Sequence, residues 1–174
     1  MTMQKIIPLL LILLVMSACS ALKDSSPLSL GSFTENSVTV SIQLEEQSNG
    51  SFFLAATFTP MPGGHLYSKD IPLTGVDGLG RPTLLELSAN SSLAALGALI
   101  ESVPAKEPDT EPKALLVYPP GPVTLRLPVQ LPPGGGWVLE QIKVTYMACD
   151  DIGCKPPVMG KTVEVRIPQA DALK

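Results

Sequence analysis

Four stretches of this chain alternate apolar and polar residues with a period of two, and proline or glycine breaks the sequence between nearly all of them. Val38, Val40, Ile42 and Leu44 alternate with Thr39, Ser41 and Gln43. Val123, Leu125, Leu127, Val129 and Leu131 alternate with Thr124, Arg126, Pro128 and Gln130. Ile142, Val144 and Tyr146 enclose Lys143 and Thr145, and Val163, Val165 and Ile167 enclose Glu164 and Arg166. A strand sends successive side chains to opposite faces, so each stretch buries one face and wets the other. With eighteen prolines and fourteen glycines as punctuation, long helices are excluded and many short strands with turns are favoured. Phe52 to Thr59, after the Ser48-Asn49-Gly50 turn, reads as the strand returning on 38–44. Residues 83–87 suit a short strand, and 91–100 suit a short helix or an irregular strand. Pro104, Pro108 and Pro112 make 103–113 a surface loop. Pro128 lacks an amide hydrogen and suggests that its strand has a free edge. About seven strands in this pattern predict an all-β, immunoglobulin-like antiparallel β-sandwich over residues 38–168, with a short tail at 169–174; the lone Trp137 adds little either way.

Composition narrows the function classes. Hydrophobic residues make up 45% of the 174 and the net charge is only −4, so the chain has enough apolar content for a core. No run of Lys or Arg offers a stripe for phosphates, which disfavours nucleic acid as a partner. With one histidine, no Gly-x-Ser-x-Gly, no phosphate loop and no Glu/His metal motif, hydrolase and transferase readings lack support.

The first 18 residues stand apart. A lysine at position 5 precedes the apolar run 6–15, too short for the roughly 20 residues of a membrane span. Val15-Met16-Ser17-Ala18-Cys19 then resembles the lipobox of bacterial lipoproteins, which implies cleavage before Cys19, acylation of Cys19, and a location in the bacterial cell envelope. Two or three acyl chains make such attachment effectively permanent, at roughly 0.8 kcal/mol per buried methylene. Ser20 fits outer-membrane sorting under the rule of enteric bacteria. Residues 19–37, polar with scattered leucines, are expected to form a tether.

The remaining chemistry lies in Tyr146-Met147-Ala148-Cys149-Asp150-Asp151-Ile152-Gly153-Cys154-Lys155-Pro156-Pro157. Neither a thioredoxin motif nor a zinc pattern has this spacing. In an oxidising compartment the default is a disulfide at the neck of a hairpin. A loop of about 6 residues contributes roughly 2 kcal/mol by chain entropy, against nearly 5 for about 100 residues. So short a bridge adds little as a staple, and both a static and a cycling disulfide stay open. Asp150 and Asp151 raise a neighbouring thiol's pKa, and Lys155 lowers it. The two aspartates also suit a plain solvated turn. Met61, Met147 and Met159 with the cysteines and His65 have the soft donors that suit Cu(I), but their spacing matches no copper motif. No metal or other cofactor is expected.

Val144-Thr145-Tyr146, the paired-cysteine loop and Pro156-Pro157 together resemble the amino-terminal periplasmic domain of the DsbD-type thiol:disulfide interchange protein. Gly64-His65-Leu66-Tyr67-Ser68-Lys69 is similar to an early Gly-x-x-Leu-Tyr segment of that family. The resemblance implies an immunoglobulin-like domain in which Cys149 and Cys154 exchange electrons with thioredoxin-like periplasmic proteins. The family's membrane and thioredoxin-like domains have no counterpart here, so electrons are expected to come from another protein. The family's aromatic loop over the disulfide has no counterpart in 100–113 either. His65 and Tyr67 are candidates for bonding a thiolate or shaping a docking surface; as packing residues, Tyr67 lies in the core or rim and His65 in a surface loop. Tyr146 and Pro156 are further candidates at the site's edge. The competing class is a non-catalytic interaction lipoprotein whose disulfide is structural.

Overall fold

The computed structural model describes residues 26–173; the leader, Cys19 and the start of the expected tether lie outside them. Among the described residues eleven strands are formed: β1 (Leu28–Glu35), β2 (Val38–Glu46), β3 (Phe52–Pro60), β4 (His65–Leu66), β5 (Leu84–Leu87), β6 (Ala94–Ala95), β7 (Ile100–Glu101), β8 (Val123–Gln130), β9 (Trp137–Tyr146), β10 (Ala148–Cys149) and β11 (Val158–Pro168). One sheet runs β1-β2-β3-β8, with β6 and β7 on the outer side of β8; the second runs β11-β9-β5; β4 and β10 form a separate two-stranded ladder. All named strand pairs are antiparallel.

The alternation does what it predicts. Val38, Val40, Ile42 and Leu44 turn inward with Leu54, Ala56, Phe58, Val123, Leu125, Leu127 and Val129, against Leu85, Ile142, Val144, Tyr146, Val165 and Ile167 of the facing sheet. The result is the expected all-β, immunoglobulin-like sandwich.

Two local expectations are corrected, and one of two open alternatives is decided. The polar stretch 19–37 gives way at Leu28 to β1, because Leu28, Leu30 and Phe33 pack against the core. Residues 91–100 follow the irregular-strand reading, with β6 and the first residue of β7 among them, and contain no helix. Instead the largely buried Glu140 carboxylate accepts hydrogen bonds from Ser91 Oγ (2.8 Å), Ser92 N (2.9 Å) and Ser92 Oγ, which commits the serines to a turn. The edge at Pro128 is interrupted rather than free. β6 and β7 cover β8 on either side of this position, and Leu96 N donates to Pro128 O across the gap. A residue's carbonyl and amide face the same side of a strand, so the missing amide hydrogen falls where the covering strands break.

The sandwich has two distinct poles. Chain entry at Leu28 lies with Leu44, Phe52 and Trp137 at one pole. At the other, Tyr146 Oη donates to Glu35 O (3.1 Å) and Asn36 Nδ2 to Pro156 O (2.8 Å), which ties the β1–β2 turn to the cysteine loop.

Candidate disulfide site

Beyond β9 the chain folds into a miniature hairpin. Lys155 N donates to Ala148 O (2.9 Å) and Asp150 N to Gly153 O (3.0 Å). One oxygen of the Asp150 carboxylate accepts from both Ile152 N and Gly153 N, each at 2.9 Å, closing the tip as an Asx turn. These two amides, Gly153 foremost, hold the Asp150 carboxyl below its ordinary pKa, with Lys155 adding in the same direction. Asp151 is exposed and Ile152, 97% exposed, projects from the tip. Cys149 and Cys154 face each other at the neck, joined as a disulfide with Cα atoms 4.0 Å apart.

The two sulfurs live in different surroundings. Cys149 is 3% exposed, packed with Tyr67 and Ile71 and bordered by Val76, Leu115, Leu116, Val117 and Met147. Cys154 is exposed. The β4–β10 ladder produces this split: Ala148 pairs with Leu66 and Cys149 with His65. Directly opposed residues share a face and the next pair takes the other. Leu66 and Ala148 therefore enter the main core, while Cys149, His65 and Tyr67, two residues beyond His65, lie on the opposite face.

Tyr67 bridges the sulfurs. Its hydroxyl lies 2.9 Å from Cys149 Sγ and 3.8 Å from Cys154 Sγ. Burial raises its pKa, so it remains a protonated donor at neutral pH. The backbone here is clamped: Tyr67 O accepts from Thr83 Oγ1 (2.8 Å) and Thr83 N (3.2 Å), and Ser68 N donates to Leu116 O (2.9 Å). Gly80, at φ 68°, lies close against the Tyr67 ring; a Cβ there would stand 3.0 Å from Tyr67 Cδ1 and 2.7 Å from Leu115 Cδ1.

His65 packs edge-to-face on Tyr67, with ring centroids 5.6 Å apart and planes at 79°. It is half-buried. Burial lowers its pKa, and Asp151 and Asp150 oppose that shift. His65 and Tyr67 border a pocket of about 530 Å³ whose far wall is the loop from Lys106 to Glu111. This loop belongs to the aromatic-free stretch 100–113. Aromatic cover for the buried sulfur comes instead from Tyr67.

Other candidates are dispersed. Tyr146 packs in the main core, edge-on to Phe58 at 5.7 Å, with its hydroxyl given to Glu35. Pro156 acts through its carbonyl on Asn36, and the Lys155 side chain is half-buried. Met147 borders the Cys149 cluster, Met61 borders the main core and Met159 is 47% exposed, so the three methionines do not share one environment. Among the described residues no group of three or more His, Cys, Asp or Glu side chains is arranged to hold a metal.

Sequence reasoning missed Tyr118. Buried beside the same pocket, it donates to Glu101 Oε2 (2.7 Å) and accepts from Lys69 N (3.1 Å), fixing the residues that follow Tyr67. One of three tyrosines in the chain, it stands directly before Pro119-Pro120; that is the signal available.

Fold and site together define a β-sandwich domain with an asymmetrically exposed disulfide at one pole. No family model matches the chain, and no curated protein matches it. Among solved structures it is similar to the crystal structure of the Neisseria meningitidis DsbD n-terminal domain in the reduced form, with 20% identity over 66% of this chain and 75% of that one, at a TM-score of 0.42.

Proposed function

We propose that this domain is a thiol:disulfide interchange module that relays reducing equivalents through Cys149–Cys154 to or from thioredoxin-like partners. The observation that carries the reading is the inequality of the two cysteines: Cys154 is exposed, while Cys149 is buried with Tyr67 Oη 2.9 Å from its sulfur.

A partner thiolate attacks Cys154 Sγ, the accessible sulfur. The Cys149–Cys154 bond breaks and its electron pair leaves on Cys149, where the Tyr67 hydroxyl donates to the new thiolate. The partner's second thiol then attacks its own sulfur in the mixed disulfide and releases Cys154. Two electrons and two protons pass to this domain, and the partner becomes a disulfide. Delivery to a recipient runs in reverse: the Cys154 thiolate opens the recipient's disulfide, and Cys149 resolves the intermediate. Asp150 and Asp151 disfavour thiolate at the tip, which suits a pair that reacts with a docked partner rather than with every disulfide it meets.

Cys19 is read as the lipid anchor, and the domain as facing the periplasm from the bacterial envelope. Among the described residues no helix is long and apolar enough to cross a membrane. The test is equilibration of the folded domain in glutathione and thioredoxin redox buffers. A cycling pair reduces while the fold persists; a structural one, typically below about −300 mV, stays oxidised until the fold melts. The second result establishes the interaction-lipoprotein alternative.

A further inference from the structure

The exchange steps above give no task to His65, a titratable side chain beside the buried sulfur. His65 stands directly across the ladder from Cys149 and on the same face. Opposed residues in such a ladder hold their Cβ atoms about 4.5–5.5 Å apart. The imidazole also lies edge-to-face on the tyrosine whose hydroxyl is 2.9 Å from Cys149 Sγ. Burial is partial, and the ring opens on the pocket walled by residues 106–111.

We propose that His65 is a pH-responsive positioning residue of this disulfide: its protonated ring sets a positive charge beside Cys149, favours departure of that sulfur as thiolate, and speeds attack on Cys154 in mildly acidic medium. The inference rests on the reading of Cys149–Cys154 as an exchanging pair.

The neighbouring charges support His65 as the group that changes. Asp150 and Asp151, from the hairpin tip, favour its protonation. Asp150 keeps its charge to unusually low pH, so that carboxylate does not titrate where imidazole does. Across the pocket lie Lys106, Glu107, Asp109 and Glu111, all exposed, and Lys155 follows Cys154 on the hairpin; Tyr67 and Tyr118 both have raised pKa values and stay neutral. Between pH 5 and 8, imidazole is the side chain whose charge ordinarily changes. Burial moves that change below the ordinary histidine value of 6.5. A charge within about 4–6 Å moves a pKa by 1–3 units. With two carboxylates opposing it and water on one side, about half to one unit is expected at Cys149, a three- to tenfold change in thiolate stability.

The experiment measures the second-order rate of disulfide reduction by dithiothreitol from pH 5 to 8, divided by the reductant's thiolate fraction. Because charge on the leaving sulfur is only partly developed in the transition state, the wild-type quotient should rise about two- to threefold as pH falls. Its midpoint should coincide with the His65 titration followed by NMR, which is unambiguous because the sequence has one histidine. His65→Gln should give a flat profile near the neutral-pH value. His65→Lys should stay near the acid value throughout. Far-UV circular dichroism verifies that both variants are folded. A flat wild-type profile with a reactive disulfide, or a profile that persists in His65→Gln, overturns the proposal and leaves the exchange reading standing. A disulfide that is inert in the folded protein at every pH removes the exchange reading itself, and the role of His65 with it.

Discussion

Replacing Tyr67 by phenylalanine isolates one contribution to the proposed exchange. The ring that packs on Gly80 and His65 is retained, and the atom lost is the hydroxyl 2.9 Å from Cys149 Sγ. A hydrogen bond to a charged acceptor contributes about 1.5–3 kcal/mol. At 1.36 kcal/mol per unit, its loss should raise the Cys149 thiol pKa by roughly 1–2 units. Only part of that appears in the rate, because charge on the leaving sulfur is incomplete in the transition state. Reduction by dithiothreitol at fixed pH should therefore slow about three- to tenfold. Thiolate absorbance at 240 nm, followed against pH in the reduced protein, reads the equilibrium effect; quenched thiol trapping reads the rate. The hydroxyl has no role at the sulfur if both measurements match the wild type within error while the variant's melting temperature shows that it is folded.

The two cysteines should behave differently when replaced singly. Cys149→Ser leaves the exposed sulfur and should accumulate a mixed disulfide with a thioredoxin-like protein under trapping conditions, whereas Cys154→Ser leaves the buried sulfur and should trap little; equal trapping contradicts attack at Cys154. Asp150 has a pKa lowered by the Gly153 and Ile152 amides, so its ordering of the hairpin tip is present above the ordinary aspartate value of 3.8 and is lost as pH falls through the lower folded value. Hydrogen exchange at those amides should quicken across that acidic range in the wild type, and should already be quick at pH 5 in Asp150→Ala. Gly80→Ala adds a Cβ at positive φ against Tyr67 and Leu115; a loss of about 1–3 kcal/mol is expected, read as a fall in melting temperature of about 2–4 °C per kcal/mol.

Strands β2, β3 and β8 were legible in the sequence because each pairs along most of its length and buries one uninterrupted face. β9 and β11 were legible only over 142–146 and 162–167, since Glu140 interrupts the apolar face of β9 and a register shift between Val158 and Lys161 interrupts that of β11. β1 was not legible. A register shift between Ser29 and Gly31 changes the phase of its alternation, so Leu28, Leu30 and Phe33 do not read as one period-two face. β6 and β7 are two residues each, below what periodicity detects, and were fixed by pairing with β8. At the site, the cysteine hairpin was readable because both sulfurs and the turn between them are local. Tyr67 was readable only through a family-like segment. Tyr118, Ile71 and Gly80 reach the site through long-range packing that no local pattern encodes.

The separation of chain entry from the cysteine loop carries a geometric consequence. β9 runs for ten residues from the Trp137 pole to the Tyr146 pole, a span of about 30 Å at roughly 3.3 Å per residue. Ser26, where the described residues begin, lies at the pole remote from Cys154. The proposed exchange at Cys154 therefore takes place about one strand length from the pole at which a chain anchored as proposed enters the sandwich.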